Sequence, residues 1–80
     1  MNTYSDTKNR ILLLLEEYRI SIYALSIKSG VAPSTIKNIL YGKSKNPGIV
    51  TIKMLCDGFG ISLFDFFNTE EFRSTDLENI

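Results

Sequence analysis

Between Ser21 and Gly42 the chain reads Ser-Ile-Tyr-Ala-Leu-Ser-Ile-Lys-Ser-Gly-Val-Ala-Pro-Ser-Thr-Ile-Lys-Asn-Ile-Leu-Tyr-Gly, and its punctuation leaves few conformations open. Ser21 offers a hydroxyl to the free amides of a first helical turn, and Gly30 accepts the left-handed conformation that ends a helix about two turns later. Val31 and Ala32 lead into Pro33, whose fixed φ suits the first position of a second helix, where a missing amide hydrogen costs nothing. That helix runs to about Tyr41 and stops at Gly42. The stretch therefore predicts two short helices, 22–29 and 33–41, joined by a tight turn.

At about 100° per residue, Ile36 and Ile39 fall on one side of the second helix, while Pro33, Ser34, Lys37, Asn38 and Tyr41 gather in an arc of about 140° opposite them. One side is apolar, the other small, polar and basic. Such a pair is what a helix-turn-helix uses to lay its second helix in the DNA major groove. An ordinary helical hairpin in a small bundle shows the same caps and periodicity.

Charge adds a second signal. The total is zero, yet residues 19–56 carry Arg19, Lys28, Lys37, Lys43, Lys45 and Lys53 with no Asp or Glu. Residues 57–80 carry Arg73 alone against Asp57, Asp65, Glu70, Glu71, Asp76 and Glu78. A basic surface is hidden inside a neutral sum, and it coincides with the two-helix unit and the loop after it. That loop, Gly42-Lys-Ser-Lys-Asn-Pro-Gly48, must lie on the surface, and its lysines suit phosphate oxygens. A basic connecting loop with no partner has the same composition.

The remaining segments read as scaffold. Ser5 or Asp6 caps a first helix over 6–18, with Ile11, Leu12, Leu14, Leu15 and Tyr18 at amphipathic spacing. Leu25 is the core residue of the second helix, beside the small Ala24 and Ser26, which permit close approach of a neighbour. A fourth helix spans 49–59 with Ile52, Leu55, Cys56 and Phe59 as its inner row and Gly60 as its stop. Gly58 in its last turn weakens it slightly and admits a close neighbour. Ser62 caps a short fifth helix over 62–67, Leu63-Phe-Asp-Phe-Phe, too aromatic to bury one face alone. Residues 68–80 form an acidic tail or short helix with Phe72 and Leu77 as isolated anchors, so the expected domain is 1–67.

Several function classes drop out. Histidine is absent and Cys56 is the only cysteine, so there is no intrachain disulfide, no zinc cluster and little material for nucleophilic or metal catalysis. No enzyme, metal or cofactor is expected. No stretch approaches the roughly 20 apolar residues of a membrane span, and Met1-Asn-Thr-Tyr-Ser-Asp lacks the order of a signal peptide, so a cytoplasmic protein without membrane contact is expected.

Taken together, Leu25, Gly30-Val31, Ser34-Thr35-Ile36, Ile39, Gly42-Lys43, Asn46-Pro47 and Gly60-Ile61-Ser62-Leu63 resemble the Cro and phage-repressor type helix-turn-helix family, also called the xenobiotic-response-element type, over about residues 8–67. The resemblance implies an all-α, five-helix bundle in which helices 2 and 3 form the DNA-binding unit. It places base reading at Ala32, Pro33, Ser34, Lys37 and Asn38, and phosphate contacts at Ser21, Ile22, Tyr41, Lys43, Lys45 and Asn46. Two positions depart from the pattern. Ile22 stands where many relatives have glutamine and offers no hydrogen bond, and Pro33 can make only apolar contact, for instance with a thymine methyl.

The expected function is a sequence-specific double-stranded DNA-binding transcriptional regulator, a repressor acting as a homodimer on an inverted repeat. Phe64 and Phe67 are its expected dimer contacts. The alternative is an antitoxin or adaptor that binds a partner protein through Phe64, Phe66, Phe67 and Phe72 and regulates its own expression through DNA.

Overall fold

The computed structural model describes residues 3–73, which form α1 (Thr3–Tyr18), α2 (Ile22–Ser29), α3 (Pro33–Leu40), α4 (Ile49–Phe59) and α5 (Leu63–Phe67), with a further helical segment at 70–73. No strand occurs among the described residues. The all-helical bundle is the expected one, with the 70–73 segment as an addition to its five helices.

Local chemistry accounts for most of the helix ends. Ser21 is extended and its Oγ accepts the Ala24 amide at 3.0 Å, while Gly30, at φ 77°, donates its amide to the Ser26 carbonyl. Ser62 repeats the cap for α5, accepting the Asp65 amide at 3.0 Å. At the end of α4, Gly60 is left-handed and its amide reaches Asp57 and Cys56, followed by the Ile61 amide on Cys56. The end of α1 has the same paired closure, Arg19 amide to Glu16 and Ile20 amide to Leu15, but puts Arg19 at φ 54° where glycine is the easy residue.

The beginning of α1 differs from expectation. The helix starts at Thr3, so Ser5 and Asp6 lie inside its first turns instead of capping it. A Ser or Asp in the first turn has the same composition signature as a cap, and nothing in the spacing separates the two. Thr7 lies one turn in, and its hydroxyl donates to the Thr3 carbonyl at 2.8 Å.

The core joins Ile11 and Leu14 of α1, Leu25 of α2, Ile36, Ile39 and Leu40 of α3, Ile52, Leu55, Cys56 and Phe59 of α4, Phe66 of α5, and Val31 and Phe72. Leu12 and Tyr18, assigned to the inner side of α1 by period, stay 44% and 45% exposed, at the edge of the stripe that meets the bundle, with the Tyr18 ring 6.0 Å from that of Phe59. Packing between α2 and α4 depends on Gly58: a Cβ there would stand 2.8 Å from Ser29 Cβ and 3.1 Å from Leu25 Cδ1. The neighbour that Gly58 admits is α2, and this seam holds the first helix of the two-helix unit to the scaffold.

Phe66 is fully buried and Phe72 nearly so, with ring centroids 6.1 Å apart, and Phe67 meets both rings edge-on at 4.9 Å. Phe72 is thus part of the core and not an isolated anchor. Neither Phe66 nor Phe72 presents a ring to a protein partner, which corrects two of the four aromatic anchors expected there. Leu77 lies outside the described residues.

Candidate nucleic-acid interface

Residues 21–48 fold as the caps and periods dictate, and the consequence is a helix with two unlike sides. Ile36 and Ile39 are at most 1% exposed and Leu40 is buried beside them, whereas Ser34, Thr35, Lys37, Asn38 and Tyr41 are all exposed. Pro33 is half-buried at the first helical position. Ala32, the residue before it, caps α3 through its backbone only and is exposed.

The polar side of α3 therefore presents Ser34, Lys37 and Asn38 along one arc, with Tyr41 at its end. Thr35 was not in the predicted arc. It lies about 200° from Pro33, near the apolar edge in angle, yet at the first turn that edge has no neighbour to cover it. Its hydroxyl beside Ser34 was the available signal.

The expected phosphate positions lie at the start of α2, at the end of α3 and on the loop that follows it. Ser21 is exposed, and although its Oγ accepts the Ala24 amide, the hydroxyl proton remains available for donation. Ile22 is half-buried against the core, which is what an apolar residue does at a place where glutamine would face solvent. Lys43, Lys45 and Asn46 are exposed on the loop, and the amide of Ser44 within it donates to the Asn38 carbonyl at 2.9 Å. That bond folds the loop back under the end of α3. It also leaves the Asn38 side chain uninvolved.

The electrostatics are less simple than the run of charges. Lys53 forms an ion pair with Asp57 one turn along α4, so it adds little net charge to the basic surface. Lys37, Lys43 and Lys45 have no ion-pair partner among the described residues. The loop leads into α4 through Gly48, which supplies no side-chain cap, so two unpaired lysines precede the positive end of an uncapped helix dipole. Anions are the natural partners of such a place.

The dimer positions separate in the structure. Phe64 is 71% exposed, but Phe67 is half-buried by its own ring contacts with Phe66 and Phe72. Leu63, Phe64, Phe67, Asn68 and Arg73 line a shallow apolar hollow of about 330 Å³.

Among the described residues no group of His, Cys, Asp and Glu has the arrangement of a metal site, and no helix is long and apolar enough to cross a membrane. Burial pushes the Cys56 thiol up from its ordinary value, partly offset by Lys53, so the thiol stays protonated inside the core.

Comparison with known protein families matches residues 10–71 to the family described as the Cro/C1-type HTH DNA-binding domain. Searches of the curated proteins and of the solved structures return no match. The matched span contains the whole two-helix unit, the lysine loop, α4, α5 and the second half of α1. That match takes in most of the described residues, and the chain belongs to the Cro/C1-type helix-turn-helix family of DNA-binding transcription regulators.

Proposed function

We propose that the chain is a sequence-specific regulator that represses transcription as a homodimer bound to an inverted-repeat operator. Asn38 and Lys37 read base edges, Ser34 assists, and Pro33 lies against a thymine methyl or a comparable apolar edge. Asn matches the paired donor and acceptor of adenine, and Lys the two acceptors of guanine. Ser21, Tyr41, Lys43, Lys45 and Asn46 hold the backbone on either side.

The observation that carries this reading is the state of α3 and its loop: Ser34, Lys37, Asn38, Lys43, Lys45 and Asn46 are all exposed while Ile36 and Ile39 are buried. Lysines without an ion-pair partner are ready to release counterions from DNA.

Dimerisation follows from reach. An eight-residue α3 is about 12 Å long at about 1.5 Å per residue, enough for only a few base pairs. Two copies set about 34 Å apart would meet successive major grooves on one side of the duplex. The Phe64 ring and the adjacent hollow suit an isologous contact, in which each protomer's Phe64 enters the other's hollow. Selection of bound sequences from random duplex DNA tests the reading, with a palindromic consensus as the expected result. Recovery of unselected sequence at every salt concentration overturns it.

A further inference from the structure

The last carbonyls of α3 need partners that the helix itself does not supply. The Lys37 carbonyl receives the Tyr41 amide at 2.8 Å, the last ordinary helical bond, and the Asn38 carbonyl receives the Ser44 amide of the loop at 2.9 Å. The Ile39 carbonyl is met from far away in sequence. The Tyr4 hydroxyl, on the first turn of α1, donates to it at 2.8 Å across 35 residues.

The same side chain stands behind the lysine loop. A Cβ placed on Gly42 would lie 3.7 Å from the Tyr4 hydroxyl, so the tip of this side chain lies in van der Waals reach of the left-handed turn. Tyr4 also lines a cavity of about 230 Å³ together with Thr7, Lys45, Asn46, Pro47 and Phe67. One half-buried tyrosine thus backs both parts of the interface, the end of the base-reading helix and the loop that holds phosphate.

We propose that Tyr4 is a positioning residue for DNA recognition: its hydroxyl ties the C-terminal end of α3 and the 42–47 loop to α1, and this tie sets the register in which Lys37 and Asn38 meet base edges. The inference rests on the DNA reading above for what is being positioned. Ile36 and Ile39 hold α3 in the core through contacts without direction, whereas a hydrogen bond to a single carbonyl fixes orientation. Base-edge contacts need their groups within about 0.5 Å of the right place, and a flexible lysine on a phosphate does not. Loss of the tie therefore costs selectivity more than it costs attachment.

Tyr4→Phe removes the hydroxyl and keeps the ring. Affinity is measured for the selected operator and for a random duplex of equal length, at a temperature where both proteins are fully folded. The expected result is a fall of about 3- to 10-fold in the operator-to-random ratio, in line with one lost hydrogen bond. Binding to random DNA should stay within about twofold. In the free protein the Ser44 amide should exchange faster with solvent while those of Leu55 and Cys56 do not, which separates a local tie from general destabilisation. A ratio equal to that of the parent overturns the proposal, even if the melting temperature drops. A parent protein that itself fails to prefer the selected operator defeats the DNA reading instead, and Ser44 exchange then decides alone whether Tyr4 holds the loop.

Discussion

α3 and α5 are both short helices with an end held by α1. Tyr4 reaches the carbonyl of Ile39 at 2.8 Å, and Arg10 reaches those of Phe66 and Asp65, each at 2.9 Å, with its guanidinium 5.9 Å from the Phe66 ring. Their outward surfaces differ sharply. α3 exposes hydroxyls, an amide and a lysine, whereas α5 exposes one large ring, Phe64, and turns Phe66 wholly inward. A polar helix surface that nothing in the protein satisfies stays available to a polar partner. An aromatic cluster satisfies itself first, and only its remainder faces outward.

The sharpest break between the two would come from Phe66→Ala. A fully buried phenylalanine lost from α5 should cost about 3–5 kcal/mol, measured by urea denaturation, and leave little folded protein at ambient temperature. A cost below about 1 kcal/mol would mean that α5 is not integral to the core. Arg10→Ala comes next. It leaves the two α5 carbonyls without their charged donor and should cost about 1–3 kcal/mol in the same assay. Arg10→Lys should recover part of that, since a lysine has no fork to serve both oxygens.

On the α3 side the effects move from stability to binding. Asn38→Ala should leave the denaturation midpoint almost unchanged, because the Asn38 carbonyl and not its side chain is engaged by Ser44. It should cost about 1–3 kcal/mol on the operator and relax preference at a single base pair, read by competition with single-position operator variants. Equal losses on operator and random DNA would assign Asn38 to the backbone. Lys43→Ala and Lys45→Ala should each weaken all duplexes alike and lower the slope of log affinity against log salt by about one. An unchanged slope would remove the loop from the phosphate contacts.

Phe64→Ser should also change stability little. With its ring 71% exposed, the substitution should shift unfolding by no more than about 0.5 kcal/mol. Sedimentation on a full palindromic site should nevertheless show one protomer where the parent shows two. A dimer that survives the change would place the contact elsewhere.

What could be read in advance follows from range. The ends of α2 and the starts of α3 and α5 are set by neighbouring residues, Ser21, Gly30, Pro33 and Ser62, so the sequence displays them. Most of the exposed arc of α3 was legible too, because Ile36 and Ile39 define an inward direction and Ser34, Lys37, Asn38 and Tyr41 follow from helical period, whereas Thr35 is exposed outside that arc and Pro33 within it is half-buried. The start of α1 was not, since Ser5 and Asp6 look like caps wherever a helix begins nearby. Tyr4 and Arg10 were invisible as ties: their partners are 35 and 56 residues away, and no spacing rule links a side chain to a distant carbonyl. The aromatic count at 64–72 was misjudged for a related reason. Composition shows how many rings there are, and only the return of the 70–73 segment over α5 decides which of them meet one another.

Cys56 offers a natural clock. It is the one thiol of the chain, has no surface exposure, and is pushed above its ordinary pKa by burial. An alkylating reagent in large excess can modify it only in molecules that have momentarily opened, so the modification rate counts openings of the core that covers it. A duplex that binds only the closed form slows that count in proportion to one plus its concentration over Kd. If the proposed operator binding holds, the protein carries its own gauge of occupancy in a core residue, with no label added to the surface it reports on.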